Sequence, residues 1–168
     1  LVASFFGGTK ERNPDCCIWV CRKPKGAKEW TSPQLAADGV FSIKDAQATL
    51  AGIDSTCTPV TNARGKLIAR RKACWNPVLF QIPGGDLILF YKIGLNVGDW
   101  TGWLVRSKDG GKTWGKREAL PEGFLGPIKN KPEYINGRII CPSSREGKGG
   151  WRIHFEYSDD KGKTWKTT

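Results

Sequence analysis

The chain has 168 residues and a mass of 18.6 kDa, enough for one domain with its own core. Hydrophobic residues make up 39% and charged residues 26%, which excludes a disordered charged tail, and no apolar run approaches the roughly 20 residues that span a membrane. The formal net charge of +11 points to an anionic partner: nucleic acid, an acidic glycan or an anionic membrane surface.

In chain order, residues 1–6 and 18–22 read as strands, with Gly7-Gly8 as a turn signal between them. Helical periodicity is weak except over residues 42–53, where Ser42 is placed to cap residues 43–50. Strands are predicted again at 78–81, 87–92 and 102–107, with Pro83-Gly84-Gly85 between the first two. Asn136-Gly137 between 131–135 and 138–141 is a two-residue hairpin signal. A last strand covers 151–158, after Gly149-Gly150. The chain therefore reads as nearly all-β. It contains no Met and opens in what reads as mid-strand, which predicts a processed or incomplete chain.

Six cysteines, Cys16, Cys17, Cys21, Cys57, Cys74 and Cys141, permit three disulfides among 15 pairings or six buried thiols. No CxxC pair occurs and His154 is the only histidine, so no metal site is expected. No cofactor is expected either: GxxxxGK[ST] is missing, and Ser143-Ser144 has no GxSxG context. No RRM, zinc-finger or helix-turn-helix pattern accompanies the basic excess, so nucleic acid is not the expected partner.

One internal repeat organises the chain. Ser107-Lys108-Asp109-Gly110-Gly111-Lys112-Thr113-Trp114 matches Ser158-Asp159-Asp160-Lys161-Gly162-Lys163-Thr164-Trp165, both as S-x-D-x-G-x-T-W, 51 residues apart. A repeat of about 50 residues holding several short strands has a propeller-blade period. Asp suits such a turn because it accepts nearby backbone NH groups, Gly supplies positive φ, and Trp anchors the loop in an apolar seam.

This motif resembles the Asp box of the sialidase (BNR-repeat) superfamily. Residues 5–11 (Phe-Phe-Gly-Gly-Thr-Lys-Glu), 74–80 (Cys-Trp-Asn-Pro-Val-Leu-Phe) and 126–132 (Gly-Pro-Ile-Lys-Asn-Lys-Pro) resemble proteins of that group as well. The resemblance covers most of the chain outside residues 41–72. It implies a β-propeller, usually of six four-stranded blades. Six blades need roughly 300 residues at this period, so about three blades are expected here. They are placed at 1–40, lacking a first strand, at 74–121 and at 122–168, with 41–73 as an insertion between blades. A second chain or further blades would complete the ring.

In such blades the Asp boxes turn between strands 3 and 4, away from the face where the family builds its active site. Asp109 and Asp160 therefore read as structural. The site face should carry the loop 7–17, the start of the second blade at Trp75-Asn76, the start of the third at Lys129-Asn130-Lys131, and the loop 143–150. The loop 94–101, with Asp99 and Trp100, joins them.

The resemblance implies chemistry on an acidic carbohydrate. Sialidases hold a carboxylated sugar on an Arg cluster and use a Tyr nucleophile paired with a Glu, plus a carboxylic acid/base. By register, Arg12, Arg145 and Arg152 are candidate carboxylate contacts, and Asp15 or Glu11 is the candidate acid/base. Asn76, Lys129, Asn130, Lys131 and Glu146 are further substrate-binding candidates, and Trp100, Trp103 and Trp151 could stack on sugar rings. The family's Tyr comes from a late blade, so the nucleophile is left unassigned. Three functions follow: a sialidase-like exo-glycosidase, a non-catalytic glycan- or protein-binding propeller, and a polysaccharide lyase on a uronate-containing glycan. The lyase would use His154 as base; the alternative is a hydrogen-bonded strand histidine. A secreted or extracellular setting is expected.

Overall fold

The computed structural model describes residues 1–42, 58–147 and 150–168. Its strands form four antiparallel sheets. The first holds β1 (Val2–Gly7), β2 (Cys17–Arg22) and β3 (Gln34–Ala37), in that order. The second holds β4 (Val40–Ser42), β5 (Thr58–Thr61) and β6 (Leu67–Arg71), with β6 in the middle. The third runs β7 (Cys74–Gln81), β8 (Leu87–Ile93), β9 (Thr101–Ser107), β10 (Glu118–Ala119). The fourth runs β11 (Glu133–Ile135), β12 (Arg138–Gly147), β13 (Gly150–Ser158), β14 (Lys166–Thr167). A single 3-10 turn, Val97–Asp99, is the only helix among the described residues, and none of them forms a helix long and apolar enough to cross a membrane.

The run Leu87-Ile88-Leu89-Phe90-Tyr91-Lys92-Ile93 explains the core. Every residue of β8 is buried, as a strand covered on both faces requires. Leu89, Tyr91 and Ile93 pack toward the first sheet with Ile18, Val20, Phe41 and Trp103. Ile88 and Phe90 pack toward the fourth sheet with Phe80, Ile139 and Trp165. The first, third and fourth sheets thus stack in series, with β8 in the centre.

Several expectations change. Within residues 41–73, expected as an insertion between blades, the described part contains strands: β4 and β5 both pair with β6. The helix expected over 43–50 lies outside the described residues. The strand expected from residue 78 begins at Cys74, with a bulge between Trp75 and Val78 that breaks the alternation. The first arm of the hairpin, expected over 131–135, begins only at Glu133. Tyr91 is 0% exposed inside β8. Trp103 packs edge-on against Phe41 in the core rather than at a ligand face. The five described cysteines are free thiols, and Cys57 lies outside the described residues.

The local repeats fold as their chemistry requires. Asp109 Oδ1 accepts from the Lys112 and Thr113 NH groups at 3.0 and 2.9 Å, and its Oδ2 accepts from the Thr113 hydroxyl at 2.7 Å. Asp160 repeats this with Lys163, Thr164 and the Thr164 hydroxyl. In each box the serine hydroxyl bonds the aspartate and accepts from the buried Gly111 or Gly162 NH. Both aspartates are thereby tied within their own turns. Asn136 and Gly137 take φ of 50° and 84°, as a type I′ hairpin needs.

Candidate functional site

The antiparallel register sorts the strand ends. Cys74, Ile93 and Thr101 lie at one end of the third sheet; Gln81, Leu87 and Ser107 lie at the other, with the first Asp box. A cavity of about 510 Å³ opens at the Cys74 end. Glu11 and Arg12 reach it from the loop between β1 and β2. Trp75 and Asn76 come from the β7 bulge, and Asn96, Val97 and Trp100 from the β8–β9 loop. Ile128, Lys129 and Asn130 precede β11. Ser143, Ser144 and Glu146 come from β12, and Trp151 and Ile153 from β13.

Two of the lining residues hold unusual backbone. Arg12 and Asn76 have φ of 74° and 40°, in the left-handed region that non-glycine residues seldom use. Asn76 sits in the bulge, where the extra residue re-aims the strand toward the cavity. Such conformations persist where surrounding structure fixes them, and they cluster at ligand sites.

The cavity is amphipathic. Trp75 and Trp100 pack at 5.5 Å between centroids and form an aromatic wall; the Trp75 indole is held by a 2.8 Å bond to the Gly94 carbonyl. Trp151 is 78% exposed at the rim. Arg12 and Lys129 bring two cations, and Glu11 and Glu146 two carboxylates. The Ser144 hydroxyl donates to Glu146 at 3.5 Å. The Ser143 hydroxyl and the Trp100 indole NH are buried at this cavity without a protein partner. Buried polar groups are rarely left so.

Of the residues expected from sequence, the structure brings Glu11, Arg12, Asn76, Lys129, Asn130 and Glu146 together. Five stand apart from the lining. Asp15 accepts from the Thr9 NH at 2.8 Å and from the Thr9 hydroxyl, which closes the β1–β2 loop. These bonds hold its carboxyl below the usual carboxylate range, which opposes a general-acid role at neutral pH. His154 lies 3.1 Å from Glu156, which also accepts from the Leu125 and Gly126 NH groups. Arg145 and Arg152 are exposed and directly opposite each other across β12 and β13. Strand alternation puts that pair on the other face from Glu146 and Trp151. Lys131 is exposed beyond the cavity edge.

One residue escapes sequence reasoning. Lys92 is 0% exposed in β8. Its ammonium donates to the carbonyls of Pro127, Ile128 (3.3 Å) and Asn76 (3.4 Å), two of which belong to cavity residues. Burial pulls its pKa down to about 7, against a smaller opposing pull from Glu156. The period-2 pattern Ile88, Phe90, Lys92 marks it as inward-facing; nothing in the sequence reveals its partners. Among the described residues no group of His, Cys, Asp or Glu is placed to hold a metal ion.

Stacked antiparallel sheets with Asp-box turns at one end and a polar cavity at the other define a repeat protein of the BNR type. The sequence pattern of the BNR repeat-like domain matches residues 1–168, and the chain belongs to that family. This agrees with the resemblance carried by the two Asp boxes. No curated protein matches the chain. A crystal structure of an unknown-function protein from Dyadobacter fermentans DSM 18053 is similar, with a TM-score of 0.63 and 19% identity over 99% of this chain. The match covers 50% of that protein, so this chain spans about half its length. At that identity the likeness concerns the fold alone.

Proposed function

We propose that the cavity is the glycan site of a sialidase-like glycoside hydrolase acting on an acidic sugar, and that the sheets are blades of a propeller completed by further blades or a second chain. One observation carries the reading: two carboxylates, two cations and three indoles from six separate segments line one cavity. Arg12 and Lys129 pair with the sugar's carboxylate. Trp75, Trp100 and Trp151 offer apolar faces to its ring. Glu11 and Glu146 are the groups able to exchange a proton with the glycosidic oxygen or a water. The similar protein, twice as long, supports a larger ring.

A second reading, glycan binding without turnover, is favoured by a specific feature. No tyrosine lines the cavity among the described residues, and Tyr91 is locked in the core. The lyase reading loses its base if His154 stays on Glu156. The test is a panel of sialosides and uronate oligosaccharides assayed for sugar release and for binding. Release that vanishes in Glu11→Gln or Glu146→Gln, with binding kept, supports the hydrolase. Binding without release favours the second reading, and neither binding nor release overturns both.

A further inference from the structure

The other end of the sheets carries a second concavity, of about 750 Å³, between the two Asp boxes. Its walls are the β7–β8 turn, the first box with residues 115–118, and Lys161 and Lys163 of the second box. Two arginines fix its shape. Arg106 pairs with Glu118 at 2.9 Å and donates to the Lys161 and Gly162 carbonyls at 3.0 Å each, which clamps the second box onto the third sheet. Arg117 lies over the Phe41 ring at 4.3 Å and 3.8 Å from Asp38.

The four lysines that line this groove are different. Lys108, Lys116, Lys161 and Lys163 are exposed, and none forms an ion pair among the described residues. Of the groove's two acids, Asp86 and Glu118, the second is already paired with Arg106. Lys161 also sits at φ 61°, where the first box has Gly110 at 70°. A side chain there costs roughly 1–2 kcal/mol relative to the relaxed backbone. The turn gains no bond from the Lys161 side chain; what that residue adds is a cation in the groove.

We infer that this groove is a second binding site, for a linear polyanionic polysaccharide bearing sulfate or uronate groups. Lysine ammoniums are mobile point charges, suited to anionic groups spaced along a chain rather than to one bidentate carboxylate. Trp114 is the only ring among the lining residues, and it is packed against the core beneath. The groove thus lacks the exposed aromatic platform on which nucleobases stack. The site is separate from the cavity at the opposite strand ends and does not depend on its proposed function.

The test is calorimetric titration with a heparin-derived octasaccharide over a salt series. The wild-type protein binds, and replacing Lys108, Lys116 and Lys163 together by Gln weakens binding at least tenfold at low salt. The slope of log K against log salt becomes shallower by roughly two, as losing three screened contacts requires. Lys25, Lys28 and Lys66, replaced together by Gln, remove the same charge from exposed positions elsewhere and leave binding within about threefold. All six side chains are exposed, and unchanged thermal midpoints establish that both variants fold. No wild-type binding, an equal loss in the second variant, or a loss in Arg12→Gly would overturn the groove. A duplex DNA of matched charge binding as tightly as the octasaccharide would overturn the polysaccharide assignment.

Discussion

Lys92 and Glu156 grip opposite polar edges of one short segment. Lys92 takes the carbonyls of Pro127 and Ile128, and Glu156 takes the NH groups of Leu125 and Gly126 at 3.1 and 2.6 Å. Both are essentially fully buried. The segment runs straight into Lys129 and Asn130, so this pair of buried charges sets one wall of the cavity. Buried charges are costly unless bonded; here both bond backbone that positions the site, and Glu156 also meets the His154 ring.

Lys92 makes stability depend on pH in a stated direction. Its folded pKa, about 7, lies below the ordinary 10.5. Between those values the unfolded chain binds a proton that the folded chain does not, so stability rises with pH across the window. Urea unfolding midpoints should climb from about pH 6.5 to about pH 7.5, below the range near 8.5 where the cysteines of the unfolded chain lose their protons. Lys92→Met should remove that part of the slope. A wild-type midpoint that stays flat or falls over this interval contradicts the burial argument.

Glu156→Ala leaves two buried NH groups without an acceptor and should cost about 3 kcal/mol in chemical denaturation, since bonds to charged groups contribute roughly 1.5–3 kcal/mol each. Glu156→Gln keeps one acceptor and should cost less. His154→Gln should lower stability and leave sugar affinity in place. A large loss of turnover in His154→Gln at unchanged stability would instead restore the histidine as a catalytic base.

The Asp boxes should behave as acid-sensitive clips. Hydrogen bonds from Thr113 and Thr164 hold the Asp109 and Asp160 carboxyls well below the usual range. A carboxyl with a lowered folded pKa adds stability that is present above its unfolded pKa near 3.8 and is lost as pH falls through the folded value. Asp109→Ala should lower the thermal midpoint at neutral pH and flatten its decline below about pH 4. Sugar binding at the distant cavity should persist, and its loss in the folded variant would contradict the structural role.

These features differ in how far the sequence reveals them. The boxes are legible because Asp109 finds its partners within four residues, in a turn that needs no tertiary contact. The candidate-site segments follow from counting strands, which places alternate loops at one end. The cradle is hidden, since Lys92 meets its carbonyls 35 and 36 residues away only after two sheets pack. Arg145 and Glu146 show the limit of loop-level reasoning. Once β12 extends through both, one residue of register sends them to opposite faces. The fourth strand of the chain pairs with β6, some 30 residues on, and no local pattern announces that pairing.

Arg12 permits a clean separation of binding from folding. Its φ of 74° suits glycine, so Arg12→Gly removes the guanidinium while easing the backbone. Stability should hold or rise slightly. Affinity for a carboxylated sugar should fall about 10- to 100-fold, as expected for losing a charge-assisted contact.

The most direct measurement is calorimetric titration of the wild-type protein and Arg12→Gly with sialyllactose and with its neutral parent, lactose. The account predicts binding of the acidic sugar by the wild type, a marked loss in Arg12→Gly, and little response to lactose in either. Equal binding of both sugars, or of the acidic sugar by both proteins, would contradict the assignment of this cavity to an acidic glycan.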